Sequence, residues 1–568
     1  MDRTAWIVVV LCTLGLVGWY LYVGKQSSQF RHQQLATAGS PTPAVAVSPT
    51  PTPASSPGAA ATPAPSGGLQ FAENMETLRN GDVELHVTNR GGGIAEAVLV
   101  NHIASHDDQR RIVLNAKEQP PIGAIIDQPN EPRLDQFNLS REPDGAIKCE
   151  RTADGITVRK KFFFPPSKET KDNFVSEMDL DVVNGGPQPY SNPGYLVALG
   201  SAAPVHPRDY SYYTRLVWCL DGKAKGVDVN WFGAGGGIFG IGARAPQSFY
   251  QQDLANADWA AVSDQFFTTL IAPLTAKGNG VWGRRFDISP EQKMFGIAGA
   301  LRMPGFQLPP GQTYTARFEI WAGPKIYHRL ASLDHNEAEI MDFGIFKIVS
   351  QFLLNFLNWI HGFLRSYGWS ILALTAVVKI VLWPLQDKAN KSMRRMSLLN
   401  PKVQELRDKY KDDPTKMNQE VMKLYKDYGL NPVGGCLPMM IQIPIFFGLF
   451  KMLGQAVELR NAHFLWVADL SQPDTVAHVF GVPVNVIPLC MAATQIWLMA
   501  MTPKTGDPAQ RRVMMFTPLI FLFICYNFAA ALALYYTTQN LFSIVQFYYN
   551  KRQPIPTLEK IHPAAKRR

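Results

Sequence analysis

The feature that most constrains this sequence is an apolar run, residues 366–386, whose only charge is Lys379. About 20 apolar residues are enough for a helix to cross a bilayer, so the run predicts a membrane span. A lysine in the middle of a span costs about 2.5–3.5 kcal/mol, and it usually faces a cavity or a partner. Thr375 and Gln386 share its helical stripe. This polar stripe favours a lysine that faces a polar cavity over one that snorkels, with its ammonium group at the membrane interface.

Apolar residues are concentrated at the N-terminus and after residue 343, although the average composition, 46% hydrophobic, is ordinary. This distribution predicts a membrane protein with a large aqueous domain. Residues 1–24 are predicted to be a retained transmembrane anchor, because aromatic residues occupy the place of small cleavage-site residues. Residues 25–68 are predicted to be a disordered tether, since eight prolines fall between 39 and 68.

Residues 69–325 contain short alternating or β-branched segments separated by turn signals, for example 83–88, 156–162 and 314–321. They predict a large all-β domain, a sandwich or an open barrel. Residues 326–363 follow as a linker and an amphipathic helix that is expected to lie in the membrane interface.

Two motifs in the aqueous part are too weak to predict chemistry. Gly235, Gly237 and Gly240 have the spacing of a dinucleotide-binding loop, but a further glycine stands where the helix should begin. His102 and His106 lack a third ligand, which favours a surface pair over a metal site. An intramembrane protease would need a His-Glu-x-x-His motif, a Gly-x-Ser-x-Gly motif or paired aspartates, and the predicted spans contain none of these. We therefore expect no cofactor, no metal and no enzymatic activity.

The C-terminal half is predicted to supply five more spans, for a total of six. They are residues 364–386, 434–455, 479–501 and the long run 513–550, which holds two spans that turn near Asn527. Residues 387–433 are charged and predict a helical hairpin that turns at Asp413 and Pro414, an N-cap and a first helical residue. Eleven lysines and arginines in this hairpin place it in the cytoplasm.

The same charge rule orients the remaining segments. Residues 456–478 are predicted to be a periplasmic loop, 502–512 a cytoplasmic loop and 551–568 a basic cytoplasmic tail. Both termini are then cytoplasmic and the β-domain lies on the opposite side of the membrane.

Polar residues in the predicted spans suggest a shared wet cavity. The five C-terminal spans contain no aspartate or glutamate, so we expect the counter-charge of Lys379 to arrive with a partner. The candidate cavity residues are Thr375, Lys379, Gln442, Gln495, Tyr535, Tyr536 and Asn540.

Several motifs resemble the YidC/Oxa/Alb family of membrane protein insertases, in its Gram-negative form. They are Gly368-Trp369-Ser370, Trp383-Pro384-Leu385, Asn400-Pro401-Lys402, the stretch 431–436, Gln442-Ile443-Pro444 and Leu534-Tyr535-Tyr536 with Asn540. In the aqueous part, Asn89 to Gly92 and Trp259 to Pro273 resemble landmarks of a β-supersandwich. The order of anchor, tether, β-domain, interfacial helix and five-span core is also similar.

The resemblance implies an inner-membrane protein that receives nascent hydrophobic segments from the ribosome or the Sec translocon and inserts them without nucleotide. The hairpin and tail are the expected ribosome contacts. The family has a hydrophilic groove with a basic residue, usually arginine, at the position that matches Lys379. Lysine keeps the positive charge but lacks the planar guanidinium group, which can bind a carboxylate through two hydrogen bonds. Thr375 and Tyr536 match groove positions.

The client's apolar segment is expected to leave along a hydrophobic slide on the third and fifth spans. Its candidate residues are Phe446, Phe447, Phe450, Phe516 and Phe521, with Phe523 beside them. A secondary transporter is the alternative reading of the polar cavity, but five core spans do not divide into two repeated halves. A carbohydrate-binding role for the β-domain survives only as a second role.

Overall fold

The computed structural model describes residues 71–115, 119–126, 134–166, 172–235, 244–289, 294–430, 437–501, 508–554 and 560. The predicted anchor and tether, together with Gly237 and Gly240, lie outside these ranges. The chain divides into two compact units, Met1–Gln70 with Lys504–Thr517, and Phe71–Pro503 with Pro518–Arg568. Of the first unit only residues 508–517 are described, as part of a helix. The contacts given below belong to the second unit.

The N-terminal part of this unit is built from antiparallel strands. In chain order they are β1 Met75–Arg79, β2 Val83–Thr88, β3 Gly93–Ile103, β4 Arg111–Leu114, β5 Ile125–Ile126, β6 Asn138–Arg141, β7 Ile147–Ala153, β8 Ile156–Phe163, β9 Val175–Asn184, β10 Tyr190–Ala202, β11 Arg215–Leu220, β12 Lys223–Asp228, β13 Tyr250–Ser263, β14 Phe267–Pro273, β15 Gly278–Ser289, β16 Met294–Leu308 and β17 Thr313–Pro324. We call 71–324 the β-region.

The β-region contains a four-stranded sheet, in the order β1-β2-β3-β4, and a thirteen-stranded sheet. The main path of the large sheet is β5-β10-β16-β15-β13-β14-β17-β9-β8-β7-β6, and β11 joins β12 to β13. Strand β13 changes partner along its length: Tyr250 to Asp253 pair with β15, and Ala260 to Ser263 pair with β14. Strand β10 packs across the sheet onto β13 and β14. The sheet thus folds over a main core with a smaller second cluster around Trp282, and the prediction of a β-rich domain is confirmed.

Lys160 on β8 is fully buried inside this region. Its ammonium group donates to the carbonyl oxygens of Gly91, Gly92 and Gly123 at 2.7, 3.0 and 3.1 Å. Burial lowers the pKa of Lys160 below its usual value, and the three carbonyl dipoles oppose that effect by holding the charged form. Because an ammonium group has three N–H donors, this lysine has no donor left to offer.

The rest of the described chain is mostly helical. The helices are α1 Tyr327–Leu330, α2 Lys347–Leu364, α3 Tyr367–Leu398, α4 Asn400–Lys409, α5 Pro414–Asp427, α6 Leu437–Leu453, α7 Val486–Met501, α8 Pro508–Cys525 and α9 Ala530–Lys551. A two-stranded hairpin, β18 Thr475–Val479 and β19 Val482–Asn485, precedes α7. We call α2 to α9 with their connections the helical region.

Within the described residues, α3 is the one helix that is both long and apolar enough to cross a membrane. Shorter apolar helical segments are Gln442–Leu453, Val486–Met501 and Phe516–Cys525. The total of six spans therefore stays a prediction.

Helix α3 corrects one predicted boundary. It continues through Pro384 to Leu398, so it joins the predicted span 364–386 to the first part of the predicted hairpin. A second break then separates it from α4, where Pro401 stands in the first turn. The prediction of a single interruption, at Asp413 and Pro414, is wrong, because the Pro401 ring favours a new helix start at this point as well. At the other break, the Asp413 side chain accepts from the Lys416 N–H at 3.0 Å, which is the predicted N-cap.

The hairpin β18–β19 corrects a second boundary. Residues 479–485 were predicted to open the span 479–501, but they belong to this hairpin and α7 begins at Val486. Hydrophobicity alone does not separate a short apolar strand from a helix. The predicted turn within 513–550 is confirmed, since α8 ends at Cys525 and α9 begins at Ala530.

Helix α2 is amphipathic, as predicted. Leu353, Leu354 and Leu357 are buried, and the opposite face exposes Ile348, Phe352, Trp359 and Phe363. The buried face rests on α6, where the Ser350 hydroxyl donates to the Gly448 carbonyl at 3.0 Å.

The segment between α6 and α7 contacts the β-region directly. Arg460 donates to the carbonyl of Ile103 at 2.7 Å and also to that of Ala104. Gln265 donates to the Gly454 carbonyl at 2.8 Å. These polar contacts attach the β-region to one end of the helical region.

Asp342 reinforces this attachment next to α2. It pairs with Arg215 at 3.1 Å and with Lys451 at 3.8 Å. Burial alone would raise the pKa of Asp342, but the two positive charges hold it below its usual value. The carboxylate thus links a β-strand to the end of α6.

Candidate functional site

Lys379 is 5% exposed and lies in the interior of α3. Its ammonium group donates to the Ser543 hydroxyl oxygen on α9 at 2.7 Å. Ser543 gives its own proton to the Gln539 carbonyl at 2.9 Å, so its lone pairs are available to the lysine. Among the residues described here, no carboxylate pairs with Lys379. A buried cation is therefore held by one neutral hydroxyl.

The environment of Lys379 differs from that of Lys160 in its unused donors. One of its three N–H groups has an acceptor in the described chain, whereas all three of Lys160 do. A buried charge left in this state is costly unless something else supplies the missing acceptors. Lys379 thus has the chemistry to hold a carboxylate or a carbonyl that a partner brings.

Helix α9 carries a polar stripe beside this lysine. Its members are three or four residues apart and so share one helical face: Gln539, Ser543, Gln546 and Asn550. Gln442 of α6 donates to the Gln539 side chain at 3.1 Å. Farther along, Gln546 donates to the Trp383 carbonyl of α3 at 3.4 Å. The stripe therefore meets both α6 and α3.

The stripe ends in an unsatisfied amide. Arg394 of α3 donates to the Asn550 backbone carbonyl at 2.6 Å. Neither polar atom of the buried Asn550 side chain has a hydrogen-bond partner within the described ranges. Hydrogen-bonding groups thus follow one face of α9 from Gln539 to its last turn.

Tyr535 and Tyr536 lie at the other end of this stripe. Both side chains are buried. The Tyr536 hydroxyl has no partner among the described residues, and its ring is 5.2 Å from that of Phe446. Tyr536 therefore joins the polar stripe to an aromatic surface.

Thr375 is buried one turn before Lys379, and its hydroxyl donates to the Ile371 carbonyl of its own helix at 2.6 Å. That hydroxyl is thus engaged within α3. Asn540 donates to Thr494 at 3.2 Å and to the Met491 carbonyl at 3.3 Å, which joins α9 to α7. Gln495 is half-buried and forms neither of these contacts. Gln495 is the candidate from the sequence, and its neighbour Thr494 supplies the polar side chain that contacts Asn540 of α9.

Ser543 is one of the polar residues of the last predicted span, but it is not among the seven candidate cavity residues. A signal for it was present, because Gln539, Ser543 and Gln546 repeat at helical spacing in the last apolar run. The sequence does not show how α9 is rotated about its axis, and this rotation is what brings the stripe to Lys379.

The predicted slide residues form an inner and an outer set. Phe446, Phe450 and Phe521 are partly buried, and the Phe446 ring lies 5.7 Å from the Phe521 ring of α8. Phe447 and Phe516 are exposed, and Phe523 is 87% exposed. The inner set thus continues the aromatic surface of Tyr536, and the outer set is open to the surroundings.

Comparison with known proteins matches both regions of the chain. A family model described as the YidC periplasmic domain matches residues 76–356, and one described as the 60Kd inner membrane protein matches 359–556. Together they cover most of the β-region and of the helical region.

Full-length relatives are similar over nearly the whole chain. The membrane protein insertase YidC of Cupriavidus necator is 31% identical over 571 residues, 96% of this chain and 97% of its own. That of Nitratidesulfovibrio vulgaris (strain DP4) is 29% identical over 581 residues, 97% of this chain and 99% of its own. A crystal structure of an active YidC insertase is 17% identical and covers 84% of this chain and 95% of its own, with a TM-score of 0.34.

Proposed function

Because this chain belongs to the YidC family of membrane protein insertases, we propose that it inserts nascent membrane proteins through a hydrophilic groove centred on Lys379. Its relatives mark it as an inner-membrane protein with a periplasmic β-rich domain. The groove and the residues that line it are the specific part of the proposal.

The observation that carries the proposal is the coordination of Lys379. A buried ammonium group with one neutral acceptor gains most from a partner that brings a negative charge. We propose that the partner is the short polar tail of a client, often acidic, on its way across the membrane. The lysine then offsets part of the cost of removing that tail from water.

The polar stripe of α9 supplies the path to Lys379. Hydrogen-bonding groups at Gln539, Ser543, Gln546 and Asn550 give a polar tail acceptors and donors along the way. A polar route shortens the apolar distance that the tail crosses, and this lowers the barrier because each unsatisfied polar group in hydrocarbon costs several kcal/mol.

The aromatic surface beside the stripe accounts for the apolar half of a client. Tyr536, Phe446 and Phe521 contact one another, with ring centroids 5.2–6.4 Å apart. We propose that a client's hydrophobic segment slides along these rings and past Phe447 and Phe523 into lipid. Its partitioning into the bilayer supplies the driving force without nucleotide.

The basic pair α4–α5 is proposed to receive clients in the cytoplasm. Both helices expose lysines interspersed with acidic residues. The ribosome is the proposed source of clients at this pair and at the basic tail, and the Sec translocon is a proposed second source. Both termini are placed in the cytoplasm on the same charge argument.

Site-specific photocrosslinking tests the groove. A photoreactive phenylalanine at Tyr536 or Gln442 is expected to capture a ribosome-stalled client during insertion. Ile380 is the matched control, because it follows Lys379 on α3 and is exposed. Crosslinks from the two groove positions and none from Ile380 would support the proposal. Crosslinks from Ile380 alone would show that clients pass along the outside of α3.

A further inference from the structure

Three hairpins in the described chain close with the same two-residue turn. The turns are Asp154-Gly155, with φ of 50° and 76°, Asp221-Gly222, with 51° and 69°, and Phe480-Gly481, with 51° and 79°. Aspartate suits the first position, because its short polar side chain tolerates the left-handed backbone. Phenylalanine does not suit this position, because a bulky side chain is strained at positive φ. A phenylalanine here therefore indicates a role outside the turn itself.

A second bulky apolar residue with positive φ occurs in the described part of the chain. The described part has nine non-glycine residues with positive φ, of which six are asparagine or aspartate and one, Arg365, ends α2. The other two are Leu465 and Phe480. Both lie in the segment that joins α6 to α7, so two bulky apolar residues occupy strained tips within about twenty positions.

Both tips are left exposed by the described part of the chain. Phe480 is fully exposed and Leu465 is 58% exposed, and more than half of their neighbours Val482 and Trp466 is also exposed. The hairpin 475–485 contains no lysine, arginine, aspartate or glutamate. Exposed apolar patches of this kind mark a contact with a membrane or with another molecule.

The Leu465 tip lies beside the first turn of α3. The Phe464 ring is so close to Gly368 that a Cβ there would fall 2.1 Å from it. The same ring lies 5.4 Å from that of Trp369. This tip is therefore fixed at the end of the helix that is long enough to span the membrane.

The Phe480 tip is tied to the corresponding ends of two other helices. Strand β19 ends at Asn485 and α7 begins at the next residue. The Asn485 amide donates to the carbonyl of Tyr526, the residue after α8, at 2.7 Å. Both tips thus lie where apolar helices meet the side on which the β-region is attached.

We infer that the Phe480 hairpin and the Leu465-Trp466 turn insert into the periplasmic leaflet of the bilayer. The inference rests on the proposed membrane placement of α3, α7 and α8. Lipid fits the tips because they are separate in sequence, uncharged and continuous with apolar helices. The Trp466 indole N–H donates to Asp474 at 3.2 Å and leaves an exposed ring, as interfacial tryptophans do.

Photocrosslinking in vesicles tests this contact. The full chain, with p-benzoylphenylalanine at position 480 or 465, is reconstituted in vesicles of phosphatidylethanolamine and phosphatidylglycerol and irradiated. Asp154 and Asp221 are the matched controls, since they occupy the same position in equivalent turns of the β-region. Lipid adducts are expected at 480 and 465 and not at 154 or 221. No lipid adduct at 480, or adducts only to a second protein copy, would overturn the inference.

A substitution separates lipid contact from packing. Phe480→Asp introduces the residue found at this position in the two other turns, which tolerates positive φ better. The midpoint of thermal unfolding is therefore expected to stay the same or rise. A fall of several degrees would show that Phe480 stabilises the chain itself, which would overturn the inference. Client insertion is measured in the same vesicles. Insertion without adducts would refute only this inference, and adducts without insertion would refute only the proposed function.

Discussion

The β-region and the helical region each bury a lysine, and they treat it in opposite ways. Lys160 donates its three N–H groups to three backbone carbonyls. Among the described residues, Lys379 has one hydroxyl acceptor, and the side-chain amide of Asn550 and the hydroxyl of Tyr536, both on α9, have no partner. A buried ammonium group whose donors all have acceptors stabilises the fold. One that lacks acceptors is costly to bury, and a partner that supplies them lowers the free energy. The contrast agrees with a structural role for Lys160 and supports the proposal that Lys379 meets clients.

The largest effect is expected from removing the basic helices α4 and α5. Deletion of residues 400–429 should abolish insertion while the remaining helices stay folded, because α4 and α5 pack mainly against each other and against α3. Insertion is measured by protease protection of a client, and folding by thermal unfolding in detergent. Loss of the fold would contradict the division of roles within the helical region.

The same substitution at the two lysines should give opposite results. Lys160→Met leaves three buried carbonyls without a donor and should lower the free energy of unfolding by about 3 kcal/mol. Lys379→Met removes a costly charge from an apolar helix and should leave stability unchanged or higher. Denaturant unfolding of the purified protein measures both. Equal destabilisation at the two positions would refute the comparison.

Ser543 offers a smaller and more specific test. Ser543→Asp places a carboxylate beside Lys379, and the resulting ion pair should reduce insertion of clients with acidic tails about tenfold. The control, Ser543→Ala, keeps the lysine free and should change insertion by no more than about threefold. If the two variants insert such clients equally well, the free charge of Lys379 is not what the client meets.

The smallest effect is expected from removing the β-region. Deletion of 39–324 ends after β17, so no unpaired strand remains, and α2 is kept whole. Simple clients should insert at close to the wild-type level, with a somewhat lower melting temperature because Arg460 and Gly454 lose their contacts. A truncated protein that folds and yet inserts nothing would show a direct role for the β-region in insertion.

The sequence predicted Lys379 because one charge within an apolar run is visible without a structure. It predicted the strands because alternating burial follows residue by residue, as along β9. It did not predict Ser543 or Thr494 as the contact residues, since these depend on the rotation of α9 and α7. It also extended a span into β18–β19, because apolar strands and helices share their composition.

The most direct test of the central claim is protease protection of a client's translocated tail in reconstituted liposomes. Lys379→Arg should remain active, Lys379→Ala should fail with acidic tails, and Lys379→Glu should fail more severely through like-charge repulsion. A neutral tail should lessen the alanine defect, because the lysine then has no charge to offset. Equal protection of acidic tails by Lys379→Ala and the wild-type protein would contradict the claim that Lys379 acts as a fixed charge in a polar groove.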